Sequence, residues 1–340
     1  MLDGPVWMIT GASRGLGSEF AKVALEGGCR VAATARRPEA VSEALGKQEG
    51  LVAVALDVCD TDTIADAVQR VLDAFGRIDV LVNNAGYGIF GALEETTDAE
   101  TRAIFDTNVF GMMNVTRAVL PAMRAQGAGR IVNIGSMASF ACDPGGALYD
   151  STKFAVAAVS EALALEMKGF GIESMVVEPG MFRTNFFDSS SIRSPEAPLD
   201  VYDGTPARCA QEFCLGHNHR QHGDPRKAAQ LVFDIVSADE PLPLWLPVAT
   251  TGALVKFPRP SAWVPEVAID WSALCLQRCR ISSSASCASF RPSCCTRPAT
   301  GSPPTSWATR RRSAPGGFRS IRSSMWIRSA PSSCRCCSSP

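Results

Sequence analysis

Residues 272–340 of this 340-residue chain contain no lysine, no aspartate and no glutamate. All 34 acidic residues precede residue 271, and the 22 lysines and arginines in that part leave it a net charge of −12. The segment 272–340 carries 11 arginines and a net charge of +11. The overall charge of −1 is therefore the sum of two different segments, and the acidic body argues against nucleic-acid binding by the folded part.

Long apolar runs and metal-ligand patterns are also missing. No window offers the roughly 18 uninterrupted apolar residues of a membrane span; the nearest candidate, 241–257, contains prolines and a lysine. Asp3 and Gly4 precede the first apolar run, so we expect no signal peptide. Cysteines before residue 272 are scattered, as is typical of reduced thiols. We therefore expect a cytoplasmic protein without a membrane segment, a disulfide framework or a bound metal.

Short apolar strands alternate with amphipathic helices between residues 6 and 248. Strands without polar alternation indicate a parallel sheet covered on both faces, which right-handed crossovers turn into a doubly wound, Rossmann-type α/β domain. We assign residues 1–250 to this domain. The predicted strands are 6–10, 30–35, 51–56, 78–82, 130–134, 172–177 and, as an edge strand because of its prolines, 242–248. The predicted helices are 15–28, 38–47, 61–75, 98–124, 149–168 and 224–236.

A glycine-rich turn joins the first predicted strand to the first helix. Residues 10–17 read T-G-A-S-R-G-L-G. Glycine permits positive φ and a close approach of the backbone to a pyrophosphate, whose charge then meets the amides of the helix N-terminus. The alternative is a glycine-rich loop with a structural role. The strand–turn–helix context predicts dinucleotide binding by Gly11, Ser13, Arg14, Gly15, Leu16 and Gly17.

The end of the second strand indicates which dinucleotide is bound. Ala35, Arg36 and Arg37 stand there, with no acid to hold a ribose 2′-hydroxyl. Arg36, with Arg14 from the glycine turn, can instead pair with a 2′-phosphate. We therefore predict that NADP(H) is preferred over NAD(H); the alternative is that one or both arginines are solvated surface residues.

Tyr149 and Lys153 lie four residues apart at the start of a predicted helix. Positions i and i+4 share one helix face, so the ammonium group can stand beside the phenol. A phenol with a pKa of about 10 is a poor proton carrier at neutral pH, and a nearby cation lowers that pKa. The pair is a credible general acid/base for interconverting an alcohol and a carbonyl, unless both residues are incidental on an amphipathic helix.

Ser136 stands at the end of the fifth predicted strand, in the segment N-I-G-S. Side chains at the carboxyl ends of parallel strands face the ligand crevice. Its hydroxyl could donate to a substrate carbonyl oxygen on which charge develops. Taken alone, a cap or turn serine is the simpler interpretation.

Together these motifs resemble the short-chain dehydrogenase/reductase family over about residues 6–248. The turn matches the family's T-G-x-x-x-G-x-G, residues 83–86 match its N-N-A-G, and Ser136 precedes Tyr149 by the family's spacing. The resemblance implies an NAD(P)-dependent oxidoreductase in which Tyr149 is the acid/base. It also implies that Lys153 tunes the pKa of that tyrosine and binds the nicotinamide ribose, and that Ser136 is the carbonyl donor.

The same resemblance implies further site residues. Asn108 would be the fourth catalytic residue and hold a water that links Lys153 to solvent. Residues 181–223 would form the substrate lid, and the family's pairing through helices implies a possible homodimer or homotetramer. The implied cofactor contacts are Asp57 and Val58 near the adenine, Asn84, Ala85 and Gly86 along the cofactor groove, and Pro179, Gly180 and Thr184 near the carboxamide. Lid residues that could line an apolar pocket, or equally belong to the core, are Phe182, Phe186, Phe187, Ile192 and Leu199.

Residues 251–340 depart from the family pattern. The segment 272–340 holds 18 serines, 11 arginines and 8 cysteines but few aliphatic side chains, so we expect disorder. It could bind RNA or acidic partners, and Cys334 and Cys337 have zinc-ligand spacing without a second pair. A third interpretation is a shifted reading frame in a GC-rich gene. We favour the last, because no charge pattern or repeat indicates a tail function.

The leading hypothesis is therefore an NADP(H)-dependent oxidoreductase that interconverts an alcohol and a carbonyl on a small, apolar substrate. Two alternatives remain. One is a regulator that senses NADP(H) without chemistry, which would not need the four catalytic residues together. The other is a product inactivated by its aberrant C-terminus.

Overall fold

The computed structural model describes residues 3–248. The strands are β1 (Val6–Thr10), β2 (Arg30–Ala35), β3 (Leu51–Ala55), β4 (Val80–Asn83), β5 (Gly88–Ile89), β6 (Gly129–Ile134), β7 (Ile172–Pro179), β8 (Ile192–Arg193) and β9 (Trp245–Val248). The helices are α1 (Gly15–Glu26), α2 (Pro38–Leu45), α3 (Thr61–Phe75), α4 (Asp98–Phe105), α5 (Met112–Gln126), α6 (Ala147–Glu166), α7 (Pro206–Gly216) and α8 (Pro225–Ser237).

Seven of these strands form one parallel sheet in the order β3-β2-β1-β4-β6-β7-β9. The order reverses between β1 and β4, where the chain switches from one half of the sheet to the other. The two-residue strands β5 and β8 pair separately, and so join the segment after β4 to the segment after β7. The predicted doubly wound α/β fold is confirmed, and β9 lies at the sheet edge, as its proline predicted.

Apolar residues cover both faces of the sheet, as the unbroken apolar strands require. Trp7 and Ile9 of β1 belong to the core beneath α1 and α8. Val6 and Met8 point the other way, into the core beneath α3 and α5. Because successive strand residues face opposite sides, every position of a doubly covered strand must be apolar.

The boundaries of α3 and α8 are set by capping residues that can be recognised in the sequence. The side chain of Asp60 accepts hydrogen bonds from the amides of Asp62 and Thr63 at the start of α3, and Gly76 ends the helix with a φ of 76°. At α8 the Asp224 side chain caps the Arg226 amide. Both helices begin within a residue of the prediction.

The continuous helix predicted over residues 98–124 is wrong in one respect. A π-helical turn, Asp106–Gly111, separates α4 from α5. Because a π-helical turn is wider than an α-helical turn, Asn108 points in a different direction from the one a continuous α-helix would give it. Such turns often occur at functional sites. The weak pattern over residues 181–224 also concealed α7.

Within residues 3–248, every helix is too short or too polar to cross a lipid bilayer. The same residues hold no group of three histidine, cysteine, aspartate or glutamate side chains placed to bind a metal ion. The predicted domain boundary at residue 250 and the interpretations of residues 251–340 lie outside the described residues.

Candidate active site

The glycine-rich turn has the geometry of a phosphate cradle. Gly11 and Gly15 have φ values of 65° and 59°, which side chains rarely adopt. A Cβ on Gly17 would lie 2.4 Å from the Gly11 carbonyl oxygen, so only glycine fits there. The N-cap residue of α1, Arg14, does not cap the helix with its side chain. The first amides of α1 can therefore meet an anion, and the turn fits a dinucleotide pyrophosphate.

Asn84 ties the end of β4 to this turn. Its amide nitrogen donates to the carbonyl oxygens of Thr10 at 3.0 Å and Gly11 at 3.1 Å. The Thr10 hydroxyl in turn accepts from the backbone amides of Asn84 and Ala85, both at 3.0 Å. Asn84 therefore fixes the glycine turn to the end of β4, beside the predicted cofactor groove. Thr10 was missed as a functional residue, although it begins the matched glycine motif.

The residues predicted to lie near the adenosine follow the ends of β2 and β3, which are neighbours in the sheet. Arg36 is exposed directly after β2. Asp57 follows β3 half-buried, and its carboxylate accepts from the Cys59 amide at 3.0 Å. Val58 beside it is buried. Arg14 has a different environment from the expected one, because its guanidinium donates to the Ser190 hydroxyl at 2.6 Å.

The segment after β7 meets the glycine turn from the opposite side. Gly180, which follows Pro179, donates its amide to the Val248 carbonyl at 3.0 Å, so β9 fixes the direction in which the segment leaves the sheet. The Thr184 side chain lies within 3.6 Å of the place a Cβ on Gly15 would occupy. The predicted carboxamide contacts and the predicted pyrophosphate turn are thus neighbours.

Three predicted catalytic residues meet at the carboxyl end of β6. Tyr149, in the first turn of α6, is buried, and the Ser136 side chain lies close enough to its hydroxyl to act against the rise of its pKa. The ammonium nitrogen of Lys153 lies 5.6 Å from the centre of the Tyr149 ring and donates to the Ile134 carbonyl at 2.8 Å. The Ser136 hydroxyl also accepts from the Ala138 amide at 3.1 Å, so it is a cap as well as a site residue.

Asn108 completes this group from the π-helical turn. Its side-chain oxygen accepts from the Tyr87 amide at 3.0 Å, and its nitrogen donates to the Tyr87 carbonyl at 2.8 Å. The same nitrogen donates to the Thr152 hydroxyl at 3.1 Å. A Cβ on Gly86 would lie 3.0 Å from the Asn108 oxygen and 3.9 Å from the Lys153 nitrogen. The N-N-A-G segment therefore passes directly over the catalytic group.

Burial dominates the protonation of this site. It raises the pKa of Tyr149, against the opposing hydrogen bond from Ser136. It also lowers the pKa of Lys153 to about 8, although the carboxyl group of Glu178 acts in the opposite direction. The net direction of the Tyr149 pKa is thus opposite to the lowering expected from a neighbouring cation, because desolvation of the phenolate is the largest influence on it.

Two buried acids near Tyr149 escaped the sequence analysis. Glu178, the residue before Pro179 in β7, is fully buried, and burial raises its pKa to about 8. Asp150 is also buried, and burial raises its pKa to about 7. The available signal was an acid at the end of an otherwise apolar strand, since such residues are rarely fully buried.

Aromatic and aliphatic side chains enclose Tyr149. Phe90 and Phe186 place their ring centres 5.4 and 5.6 Å from that of Tyr149. Phe187 and Ile192 belong to the same apolar cluster. Of the other lid candidates, Phe182 packs into the sheet core and Leu199 is exposed.

Carboxylates of the segment around α4 hold the far part of the lid. Buried Glu95 accepts from the Arg208 guanidinium at 2.6 Å and from the Leu199 amide at 2.9 Å. Glu100 accepts from the Glu196 amide at 3.0 Å. Residues 196–208 are therefore attached to the body, beside the aromatic part of the lid that covers Tyr149.

The doubly wound sheet carries a glycine turn that fits a pyrophosphate, and Asn108, Ser136, Tyr149 and Lys153 lie together beside it. These features define a nucleotide-dependent oxidoreductase. A family model described as short chain dehydrogenase matches residues 5–194. The chain belongs to the short-chain dehydrogenase/reductase family and is an NAD(P)-dependent enzyme. It is 37% identical over 262 residues to a 3-ketodihydrosphingosine reductase from Bacteroides thetaiotaomicron, covering 76% of this chain and 93% of that relative.

Solved structures agree with this assignment. A short-chain dehydrogenase from Streptomyces avermitilis matches with a TM-score of 0.65 and 35% identity, covering 82% of this chain and 95% of that one. A 3-ketoacyl-(acyl-carrier-protein) reductase from Brucella melitensis, complexed with NADH, matches at 0.61 and 25%, covering 74% and 99%. ElxO with bound NADP matches at 0.60 and 24%, covering 73% and 98%, which is a likeness of fold. Proteins of this fold thus bind either dinucleotide.

Proposed function

We propose that this enzyme interconverts an alcohol and a carbonyl on a small, apolar molecule with NADP(H), and that Tyr149 is its acid/base. The observation that carries the proposal is the meeting of half-buried Ser136 with buried Tyr149 and Lys153, while Asn108 is hydrogen-bonded to Thr152 beside them. The cytoplasmic location and a dimeric or tetrameric state remain predictions from the sequence.

The proton chemistry follows from the two hydroxyl groups. A carbonyl oxygen that reaches Ser136 and Tyr149 receives a hydrogen bond from the serine and the proton from the tyrosine. The raised pKa of Tyr149 keeps that proton on the phenol until the oxygen gains charge. Lys153, held by the Ile134 carbonyl, supplies the positive charge that stabilises the phenolate left behind. A nicotinamide bound in the predicted groove would supply the hydride in reduction or accept it in oxidation.

The surroundings of Tyr149 support an apolar substrate. Phe90 and Phe186 flank its ring, and aliphatic side chains complete the cluster. Such a lining favours molecules whose carbonyl is attached to hydrocarbon. The relative from Bacteroides thetaiotaomicron is, by its name, a reductase of a keto compound, which agrees with carbonyl reduction.

The preference for NADP(H) rests on charge. Arg36 is exposed at the end of β2, where no acid stands to hold a ribose 2′-hydroxyl. An arginine there offers a charge-assisted contact to a 2′-phosphate. The interaction of Arg14 with Ser190 leaves Arg36 as the main candidate for this contact.

The test is a screen of aliphatic and aromatic ketones in which NADPH consumption is followed. Tyr149→Phe should lower turnover by about 10²-fold or more, because it removes the proton donor. NADPH binding, measured by its fluorescence, should persist. Tyr202→Phe, a matched change at a tyrosine whose hydroxyl donates to Glu94, should leave turnover unchanged. Turnover that survives in Tyr149→Phe would reject the mechanism, and NADPH binding without any turnover of the unaltered chain would favour a sensor.

A further inference from the structure

Glu178 is a fully buried acid that touches the candidate active site through the backbone. One carboxylate oxygen, Oε2, accepts the Ser136 amide at 2.6 Å. Gly135, the residue before this serine, leaves room for the carboxyl group, since a Cβ there would lie 2.6 Å from Oε2. The end of β6 is thus fitted around the side chain of Glu178.

The second oxygen of Glu178, Oε1, has no hydrogen-bond partner in the described part of the chain. Ser139 lies beside the carboxyl group and lowers its pKa, but the Ser139 hydroxyl donates to the Lys153 carbonyl at 3.1 Å. A buried carboxylate oxygen without a hydrogen bond is costly to maintain for stability alone. Such a group indicates a role in the neighbouring site.

The titratable groups around Glu178 show what its charge acts on. From α6, the ammonium group of Lys153 interacts with it favourably and the phenol of Tyr149 unfavourably. Asp150 and Cys214 also act on Tyr149 in the unfavourable sense, from α6 and α7. On the other side, β9 contributes Pro247, which carries no charge.

We propose that Glu178 is a positioning residue that holds the Ser136 backbone and places a negative charge against Lys153 and Tyr149. This role rests on the proposed function. Because burial raises its pKa to about 8, Glu178 becomes charged as pH rises through that value, where its carboxylate favours the protonated form of Lys153 and opposes ionisation of Tyr149. The proton therefore stays on the phenol until a carbonyl oxygen arrives.

The charge can be measured without turnover. The chain contains three tyrosines, so Tyr87→Phe with Tyr202→Phe leaves Tyr149 as the only phenol. In this background Glu178→Gln keeps an acceptor for the Ser136 amide but removes the charge. Phenolate absorbance should then appear at a pH lower by about one unit. Glu173→Gln, the same change elsewhere on β7, should leave the titration unchanged. If the titration curves of Glu178→Gln and its parent coincide, the proposal is overturned. The same holds if neither protein forms phenolate before circular dichroism reports unfolding.

Kinetic measurements separate the effect of the Glu178 charge from the effect of its hydrogen bond to the Ser136 backbone. If the unaltered chain reduces a ketone, its kcat should fall at high pH, where Tyr149 loses its proton. In Glu178→Gln this fall in kcat should occur at a lower pH. Glu178→Asp keeps the charge but shortens the reach to Ser136, so kcat should fall while the pH profile stays near that of the unaltered chain. A lower kcat with an unmoved profile in Glu178→Gln would overturn the charge role. Absence of any NADPH-dependent reduction would reject the proposed function instead, and the phenolate titration would still decide the effect of Glu178.

Discussion

The ring of Phe186 lies 5.6 Å, centre to centre, from the ring of Tyr149. This contact brings a residue of the segment after β7 against the proposed proton donor in α6. Phe90, from the segment after β5, approaches the same ring at 5.4 Å. Tyr149 is consequently shielded from water, which raises its pKa. The same apolar surroundings would suit the hydrocarbon-bearing substrate that we propose.

Replacing Phe186 should therefore alter substrate preference more than the chemical step. Phe186 is half-buried, so Phe186→Ala should lose about half of the free energy that full burial of a phenylalanine ring contributes. KM for an apolar ketone should therefore rise about three- to tenfold. Phe186→Leu should restore most of the affinity because it keeps apolar volume. Phe170→Ala, which removes an exposed ring outside this cluster, serves as the control. KM is measured by steady-state kinetics on a short and a long ketone. If Phe186→Ala and Phe186→Leu both have the KM of the unaltered chain, the role of Phe186 is contradicted.

Fold prediction succeeded where local chemistry and packing agree. The sequence carries an acid at the N-cap and a glycine at the end of α3, and both boundaries follow from those residues alone. The π-helical turn that holds Asn108 has no comparable local signal. It depends on contacts distant in sequence, such as those of Asn108 with Tyr87 and Thr152.

Site prediction had the same limit. The glycine turn and the Tyr149–Lys153 pair are visible because each lies within a few residues of sequence. The pKa directions were not predictable, since burial by the lid and by β7 decides them and neither contact is local. Glu178 was likewise overlooked, because its importance comes from a backbone amide 42 residues earlier in the chain.

Arg36 and Arg37 provide a matched pair for the cofactor prediction. Both are exposed at the end of β2, and Arg37 is the N-cap residue of α2. Arg36→Ala should weaken NADPH binding about tenfold or more, the scale of a lost charge-assisted hydrogen bond, and leave NADH binding nearly unchanged. Arg37→Ala should have the smaller effect on NADPH. Fluorescence titrations of both dinucleotides measure the difference, and an equal loss for NADPH and NADH in Arg36→Ala would remove the 2′-phosphate argument.

Asp150 should make stability depend on pH. Its carboxylate accepts the Asp143 amide at 2.9 Å, yet burial raises its pKa to about 7. A raised carboxyl pKa means that the folded state binds the proton more tightly than the unfolded state. The resulting stabilisation is complete below about pH 4 and is lost as pH rises towards 7.

The variant Asp150→Asn removes this titration. The Tm of the unaltered chain relative to Asp150→Asn should therefore fall between about pH 4 and pH 7. The expected change is a few degrees, since about 1 kcal/mol corresponds to roughly 2–4 °C in a domain of this size. Asp66→Asn, at an exposed position of α3, should show no such trend. A Tm difference that stays constant over this range would exclude Asp150 as the source.

Strand β9 sets how much of the chain the enzyme needs. It pairs with β7, its Leu246 and Val248 are buried, and the Val248 carbonyl accepts the Gly180 amide. Ending the chain at residue 243 would delete both side chains, lose their burial at about 1.5–3 kcal/mol each, and leave amides of β7 unpaired. We expect that chain to be insoluble.

A chain ending at residue 250 keeps β9 and should match the full chain in soluble yield, NADPH binding and turnover, or exceed it. If it instead lost activity that the full chain retains, residues 251–340 would be a working part of the enzyme, and their interpretation as the product of a shifted reading frame would be wrong.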